Sequence, residues 1–204
     1  MYNTVIYDQY LFDVPIGEVD VLLYDEIKKR DVYRINNFSG ELIIDIGANI
    51  GIFSIFASEK AKKVIAYEPE QDNYEFLLKN IHKNKITNIE THKLGLGKKG
   101  KARIIPMQSG SYVGELGKEP VKLISLNDIK FDKCDLMKID CEGSEFDLIK
   151  YAKSKTLKKI KRISMEIHKN MVDQRRVKEL IEKLSKYFDI EENDGQMLWA
   201  TLKE

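Results

Sequence analysis

Cysteine and long apolar runs are both scarce. The chain has two cysteines in 204 residues, Cys134 and Cys141, and without C-x-x-C spacing they offer neither a disulfide framework nor a zinc site. That fits a reducing compartment, and a cytoplasmic protein is the expectation. No segment approaches the ~20 apolar residues needed to span a bilayer, and the N-terminal MYNTVIYDQYLFDVP lacks the basic start and apolar core of a signal peptide. Excess charge is missing too. With 34 Lys and Arg against 33 Asp and Glu, the net charge is +1, so nothing global draws the chain to nucleic acid. Low-complexity stretches and internal repeats are absent.

What is present is length and alternation. A chain of this size buries roughly 70% of its unfolded surface in one domain. From residue 40 onward, short β-rich runs alternate with segments of helical period, the pattern of an α/β protein with a mainly parallel sheet and helices on both faces. The expected strands are Glu41 to Ile46, KVIAYEP (stopped by Pro69), NIETHKLG, CDLMKIDCEG and KRISMEIH. Helices are expected near Ile50 to Lys60, around Tyr74, Leu77, Leu78 and Ile81 (stopping near Asn84), from Ser144 through Lys153, and around Val177, Leu180, Ile181 and Leu184. Asp194-Gly195 between two apolar runs predicts a C-terminal antiparallel hairpin. Residues 1–39, with a hairpin around DVPIGE and a short helix LYDEIKKR, form an N-terminal extension on a core of residues 40–204. Residues 98–127 read as an antiparallel excursion, and both segments are placed over the carboxyl edge of the sheet.

The stretch ELIIDIGANIGIFSIF carries the first chemical signal. A glycine turn at a helix start exposes backbone N–H groups and permits close approach at Gly47 and Gly51. Its spacing, D-x-G-x-x-x-G, is not the G-x-G-x-x-G that cradles a dinucleotide pyrophosphate. A cofactor without phosphate fits better, with Glu68, 23 residues after Asp45, placed to accept from both ribose hydroxyls. Farther on, Asp140 ends the apolar run LMKI, Glu142 precedes Gly143, and Glu166 and His168 share one face of the fifth strand by period two. Together they describe a polar cleft able to attract a cation, orient a hydroxyl or accept its proton. Glu145, in a first helical turn, reads as a helix-dipole partner. His82 reads as solvated surface, His92 as a residue near the third strand's end, Trp199 as core, and Tyr112 in QSGSYVGE as a loop residue placed to flank a substrate.

DIGANIG, YEP, LGLGKKGK and above all KIDCEGSEFDLI followed by MEIH resemble, in that order, the FkbM-type family of S-adenosylmethionine-dependent methyltransferases, over about residues 41–170. The resemblance implies a Rossmann-like three-layer methyltransferase fold whose seven-stranded sheet ends in an antiparallel hairpin. It implies S-adenosyl-L-methionine as cofactor, with Asp45, Gly47, Ala48, Asn49 and Gly51 at its methionine end, Glu68 and Pro69 at the ribose, and the chain near Gly95 at the adenine. Asp140, Glu142, Glu166 and His168 are the catalytic candidates, with His168 or Asp140 as base, Glu166 orienting the acceptor, and no metal needed. The implied acceptor is a hydroxyl on a small molecule or glycan. The cofactor half also resembles archaeal-type tRNA guanine methyltransferases, but no Asn/Asp-Pro-Pro-aromatic motif ends the fourth strand. A non-catalytic cofactor-binding protein is the third reading, and the acid set Asp45, Glu68 and Asp140 speaks against it.

Overall fold

The computed structural model describes residues 2–15, 24–105, 112–114, 119–193 and 196–204. A hairpin of β1 (Tyr2–Tyr7) and β2 (Tyr10–Pro15) comes first, followed by a π-helical turn at Asp25–Lys29. Strand β3 (Gly40–Ile46) then leads to α1 (Ile52–Ala57), β4 (Ala61–Tyr67), α2 (Gln71–Lys83) and β5 (Ile89–His92). An excursion of β6 (Gly95–Leu96), β7 (Gly100–Ile105), β8 (Tyr112–Gly114) and β9 (Glu119–Ile124) follows. The chain returns through β10 (Leu136–Ile139), α3 (Glu145–Tyr151), α4 (Ser154–Leu157), β11 (Arg162–Glu166), α5 (Gln174–Ser185), β12 (Phe188–Glu192) and β13 (Met197–Leu202).

The main sheet has seven strands in the order β12-β13-β11-β10-β3-β4-β5. Strands β5, β4, β3, β10 and β11 are parallel, while β13 runs antiparallel to both neighbours. This is the Rossmann-like sheet expected from the alternation. Central parallel strands are covered on both faces and so read as near-continuous apolar runs. All four residues of β10, Leu-Met-Lys-Ile, are buried, and the lysine among them is the exception that matters below. Successive residues serve opposite faces. Ile43, Val64 and Leu136 pack with Phe12, Phe53 and Phe56, whereas Ile44, Met137 and Ile139 pack with Phe146, Leu148 and Leu180.

Several expected boundaries move. The N-terminal hairpin reverses at Asp8–Gln9 rather than around DVPIGE, whose Asp13–Pro15 end β2; residues 16–18 lie outside those described. The hairpin does not cover the carboxyl edge. It docks on α2, where the Asp13 N–H donates to Asn80 Oδ1 (2.7 Å) and Asn80 Nδ2 returns a bond to the Asp13 carbonyl (3.2 Å). The helix expected from Ser144 through Lys153 spans Glu145–Tyr151, ending where Ala152 leaves helical geometry (ψ 133°), and a short further helix, Ser154–Leu157, follows it. Leu78, counted on the apolar stripe of α2, is exposed, while Leu77 is fully buried. Asp194-Gly195, residues 106–111 and 115–118, and the side chain of Tyr112 lie outside the described residues. Among the described residues no helix is long and apolar enough to cross a membrane.

Strand order reverses between β3 and β10, the kind of switch point at which open α/β sheets bind ligands beyond their carboxyl ends. Gly47, Glu68 and Asp140 each follow one of the strands that meet there, β3, β4 and β10.

Candidate active site at the carboxyl edge

The glycine turn is held shut by its own backbone. The Gly47 and Ala48 N–H groups both donate to the Tyr67 carbonyl at 3.0 Å, and the Gly51 N–H donates to the Ala48 carbonyl at 2.9 Å. Asn49 N–H donates to Glu68 Oε2 at 2.8 Å, and Ile50 N–H to Asn49 Oδ1 at 2.6 Å. The free N–H cradle expected at this turn is therefore not there. The glycines are needed for approach. At Gly47 (φ 79°) a Cβ would lie 1.7 Å from the Asp140 carbonyl oxygen, and at Gly51 (φ 94°) 2.6 Å from Leu77 Cδ1.

Asp45 also departs from its expected place. It sits wholly buried behind the turn, accepting from Ser54 Oγ at 2.6 Å and paired with Lys138 Nζ at 3.2 Å. Lys138 is the residue that the sequence reading passed over. Its ammonium donates to the Gly47 carbonyl at 2.5 Å and stands 3.6 Å from Asp140 Oδ2, so it links the turn, Asp45 and the end of β10. Burial alone would lower its pKa, yet the charges of Asp45 and Asp140 and the hydrogen bond to Asp45 hold it above the usual lysine range. A lysine inside an apolar strand was the available signal, because a buried ammonium requires partners.

Beyond the turn a cleft opens at the carboxyl edge of the sheet, where open α/β sheets bind ligands. Gly47, Asn49, Glu68, Pro69 and Gly95 line one part of it, and Asp140 and Glu142 the other. Asp45, Ala48 and Gly51 do not line it. Glu68 is buried, with Oε2 accepting from Asn49 N–H and Oε1 from Glu70 N–H at 2.9 Å. Burial pushes its carboxyl up to about 7, against the pull of those two donors. A carboxylate offers about four acceptor sites, so each oxygen keeps capacity for a further donor. Leu94, Gly95 and Leu96 line the cleft with Pro69 close against Gly95, where an added Cβ would meet Leu123 Cδ2 at 2.5 Å and Pro69 Cβ at 3.4 Å. His92 turns elsewhere, stacked on Tyr67 (4.9 Å between ring centroids) and paired with Glu90.

At the ends of β10 and β11 the structure brings Glu166 and His168 up to Asp140 and Glu142; the latter two line the cleft, and Glu166 and His168 stand behind them. Imidazole Nε2 lies 3.2 Å from Glu142 Oε2 and 3.9 Å from both Asp140 Oδ1 and Glu166 Oε1. Glu142 takes a left-handed backbone (φ 47°) before Gly143, a conformation that non-glycine residues adopt at a cost. Glu145 stands in the first turn of α3, as expected of a dipole partner, and also holds His168. Fully buried, it accepts from the His168 N–H (2.9 Å) and the Gly143 N–H (2.8 Å) and pairs with imidazole Nδ1 (3.2 Å). Burial opposes charge on His168, but the bond to Glu145 and the charges of Glu145, Glu142 and Asp140 prevail and raise its pKa to about 9. His168 is therefore an imidazolium at neutral pH, without the lone pair that a base requires. Burial and then the charge of Asp140 raise Glu166 to about 7, and burial raises Glu142. Asp140, Glu166 and His168 each present one atom within 4.8 Å of the others, a set that could hold a divalent ion. Magnesium prefers all-oxygen ligands, which this set lacks.

Comparison with known proteins bears on this arrangement. The family model described as methyltransferase FkbM domain matches residues 45–195. Methyltransferase sdnD of Sordaria araneosa is 26% identical over 173 residues, covering 63% of this chain and 67% of that protein. The crystal structure of methyltransferase FkbM from Methylobacillus flagellatus KT superposes with a TM-score of 0.58 at 18% identity, over 82% of this chain and 45% of that one. This chain thus spans less than half the length of that relative. A putative methyltransferase from Streptococcus mutans, crystallised in complex with SAH, superposes with a TM-score of 0.56 at 11% identity, over 86% and 96% of the two chains. Methyltransferases of tRNA and rRNA share the fold as well.

Proposed function

Because this chain belongs to the FkbM methyltransferase family, we propose that it uses S-adenosylmethionine to methylate a hydroxyl group on a small molecule or glycan. One observation carries the reading. A single cleft joins a buried carboxylate with spare acceptor capacity, Glu68, to a carboxylate-rich far wall at Asp140 and Glu142. The first suits a ribose diol and the second suits the handling of an acceptor proton beside a cationic centre.

The residues present fit the cofactor. Glu68 would take the ribose hydroxyls, and the apolar lining of Pro69, Leu94 and Leu96 would border the adenine. Asn49, the Gly47 backbone and Asp140 would border the methionine end. When bound, the cofactor supplies an electrophilic methyl group on a positively charged sulfur. Asp140 contributes negative charge at that point, and Lys138 and Asp45 fix the strand end that presents it. In-line transfer needs alignment more than strong base catalysis. Glu166 would receive the proton of the acceptor hydroxyl, since a carboxyl near 7 is matched to neutral pH. His168 holds the positive charge that lets Asp140, Glu142 and Glu166 share one wall, a supporting part in place of the base role anticipated for it. The carboxylates at this wall would repel a phosphate backbone, which favours the small-molecule or glycan reading over the tRNA one.

Transfer of a radiolabelled methyl group from S-adenosylmethionine tests this, with polyhydroxylated small molecules, glycans and total tRNA offered side by side and EDTA present in a parallel series. Label in hydroxyl-bearing acceptors, retained in EDTA, is expected. Label confined to tRNA would overturn the acceptor assignment, and loss in EDTA restored by added metal would replace the metal-free mechanism.

A further inference from the structure

Tyr33 lies outside the segment that matches the family, yet its hydroxyl reaches the site. Buried at 5% exposure, it donates from Oη to Asp140 Oδ2 at 3.0 Å. Lys138 Nζ approaches the same oxygen at 3.6 Å, whereas Oδ1 is the oxygen nearest imidazole Nε2. Both donors thus hold one side of the carboxylate and leave the other facing the carboxylate wall.

The loop that delivers Tyr33 is anchored at several points. Ser164 Oγ, on β11, donates to the Tyr33 carbonyl at 2.8 Å, and Trp199 Nε1, on β13, to the Val32 carbonyl at 2.8 Å. The Arg34 guanidinium stacks 3.9 Å from the centre of the Trp199 ring and pairs with Glu191. Asp31 Oδ1 accepts from the Ile35 and Asn36 N–H groups at 2.6 and 3.1 Å. The phenol ring is wedged edge-on against Phe53, 5.2 Å between centroids, with the Lys138 ammonium 5.5 Å from its own centroid. Filling this space takes a ring only, and a phenylalanine would do it without burying a hydroxyl that then needs an acceptor.

We infer that Tyr33 is a positioning residue that fixes the orientation of the Asp140 carboxylate at the cleft, so that residues 31–36 are part of the active site. This rests on the reading of Asp140 as the carboxylate beside the cofactor's charged sulfur. The consequence is directional. Without the hydroxyl, Asp140 is held by Lys138 alone and presents its charge to the cleft less consistently.

Calorimetry on the full chain tests this without an acceptor, using two probes: S-adenosylhomocysteine, neutral at sulfur, and sinefungin, which carries an amine near the position of the transferred methyl. The wild type should prefer sinefungin. Asp140→Asn should cut that preference by about tenfold, and Tyr33→Phe by about threefold with S-adenosylhomocysteine affinity unchanged. The double variant should match Asp140→Asn alone, since residues acting through one group are not additive. A Tyr33→Phe protein that keeps the full preference, while Asp140→Asn loses it, overturns the inference about Tyr33 and leaves Asp140 in place. No preference in the wild type removes the premise, and the inference with it. A second measurement needs no Tyr33 variant. In protein labelled with [¹³Cζ]tyrosine, burial and then the charges of Asp140 and Glu166 keep Tyr33 protonated well beyond the ordinary range. Asp140→Asn should bring one resonance into titration at lower pH, and no such movement would contradict the contact.

Discussion

Between Gly47 and Gly51 every backbone N–H is satisfied within the turn and its neighbouring strand, and the one carboxylate there, Glu68, is perturbed chiefly by burial. At the ends of β10 and β11 the situation is reversed. Asp140, Glu142, Glu145 and Glu166 crowd around His168, with Lys138 behind, and neighbouring carboxylates raise the pKa of both cations against the pull of burial. One side of the cleft is built by backbone geometry, the other by electrostatic balance between residues far apart in sequence. Substitutions should therefore fail differently on the two sides.

The largest effect is expected from Lys138→Met, which joins the two sides by its absence. It would leave the buried Asp45 carboxylate with Ser54 as its remaining polar partner and free the Gly47 carbonyl. Stability should fall by about 3–5 kcal/mol, the range for removing one member of a buried pair, read as the midpoint of denaturant unfolding. A loss below about 1 kcal/mol would mean that the two sides are energetically independent. Next, on the electrostatic side alone, Glu166→Gln should lower turnover by about 10²-fold with cofactor affinity little changed. Equal losses in both would place Glu166 at the cofactor instead. On the backbone side, Gly51→Ala should cost about 2 kcal/mol through its left-handed φ and the contact with Leu77. Cofactor affinity in the protein that remains folded should be retained, because Gly51 stands away from the cleft wall.

This contrast also explains what could be read in advance. The seven-stranded sheet was legible because its parallel strands are short apolar runs between segments of helical period, and Asn84 ends α2 as the pattern required. Gly47, Glu68 and Asp140 were legible because strand-end positions and glycine spacing are local. Lys138 left a visible sign, a charge inside LMKI, that was not followed. Tyr33 left none. Its place depends on Ser164 and Trp199, more than 130 residues away in sequence, and no local pattern encodes such a contact. The protonation of His168 was invisible for the same reason. Imidazole alone suggests a base, and only the convergence of Glu145, Glu142 and Asp140 upon it favours the charged form.

The smallest expected effect gives the most direct test. Glu68 has a folded-state pKa near 7, above its ordinary 4.5. Its contribution to the stability of the free protein is thus present below about 4.5 and lost as pH rises through 7. Hydroxyl donors from a ribose favour the charged form, so binding should run in the opposite sense. Calorimetric titration with S-adenosylhomocysteine should show affinity improving by up to about tenfold from pH 6 to pH 8, and Glu68→Gln should weaken binding at pH 8 by about tenfold and flatten that dependence. NAD, titrated alongside, should give no heat of binding. Binding of NAD without S-adenosylhomocysteine, or an affinity for S-adenosylhomocysteine indifferent to both pH and Glu68, would contradict the account.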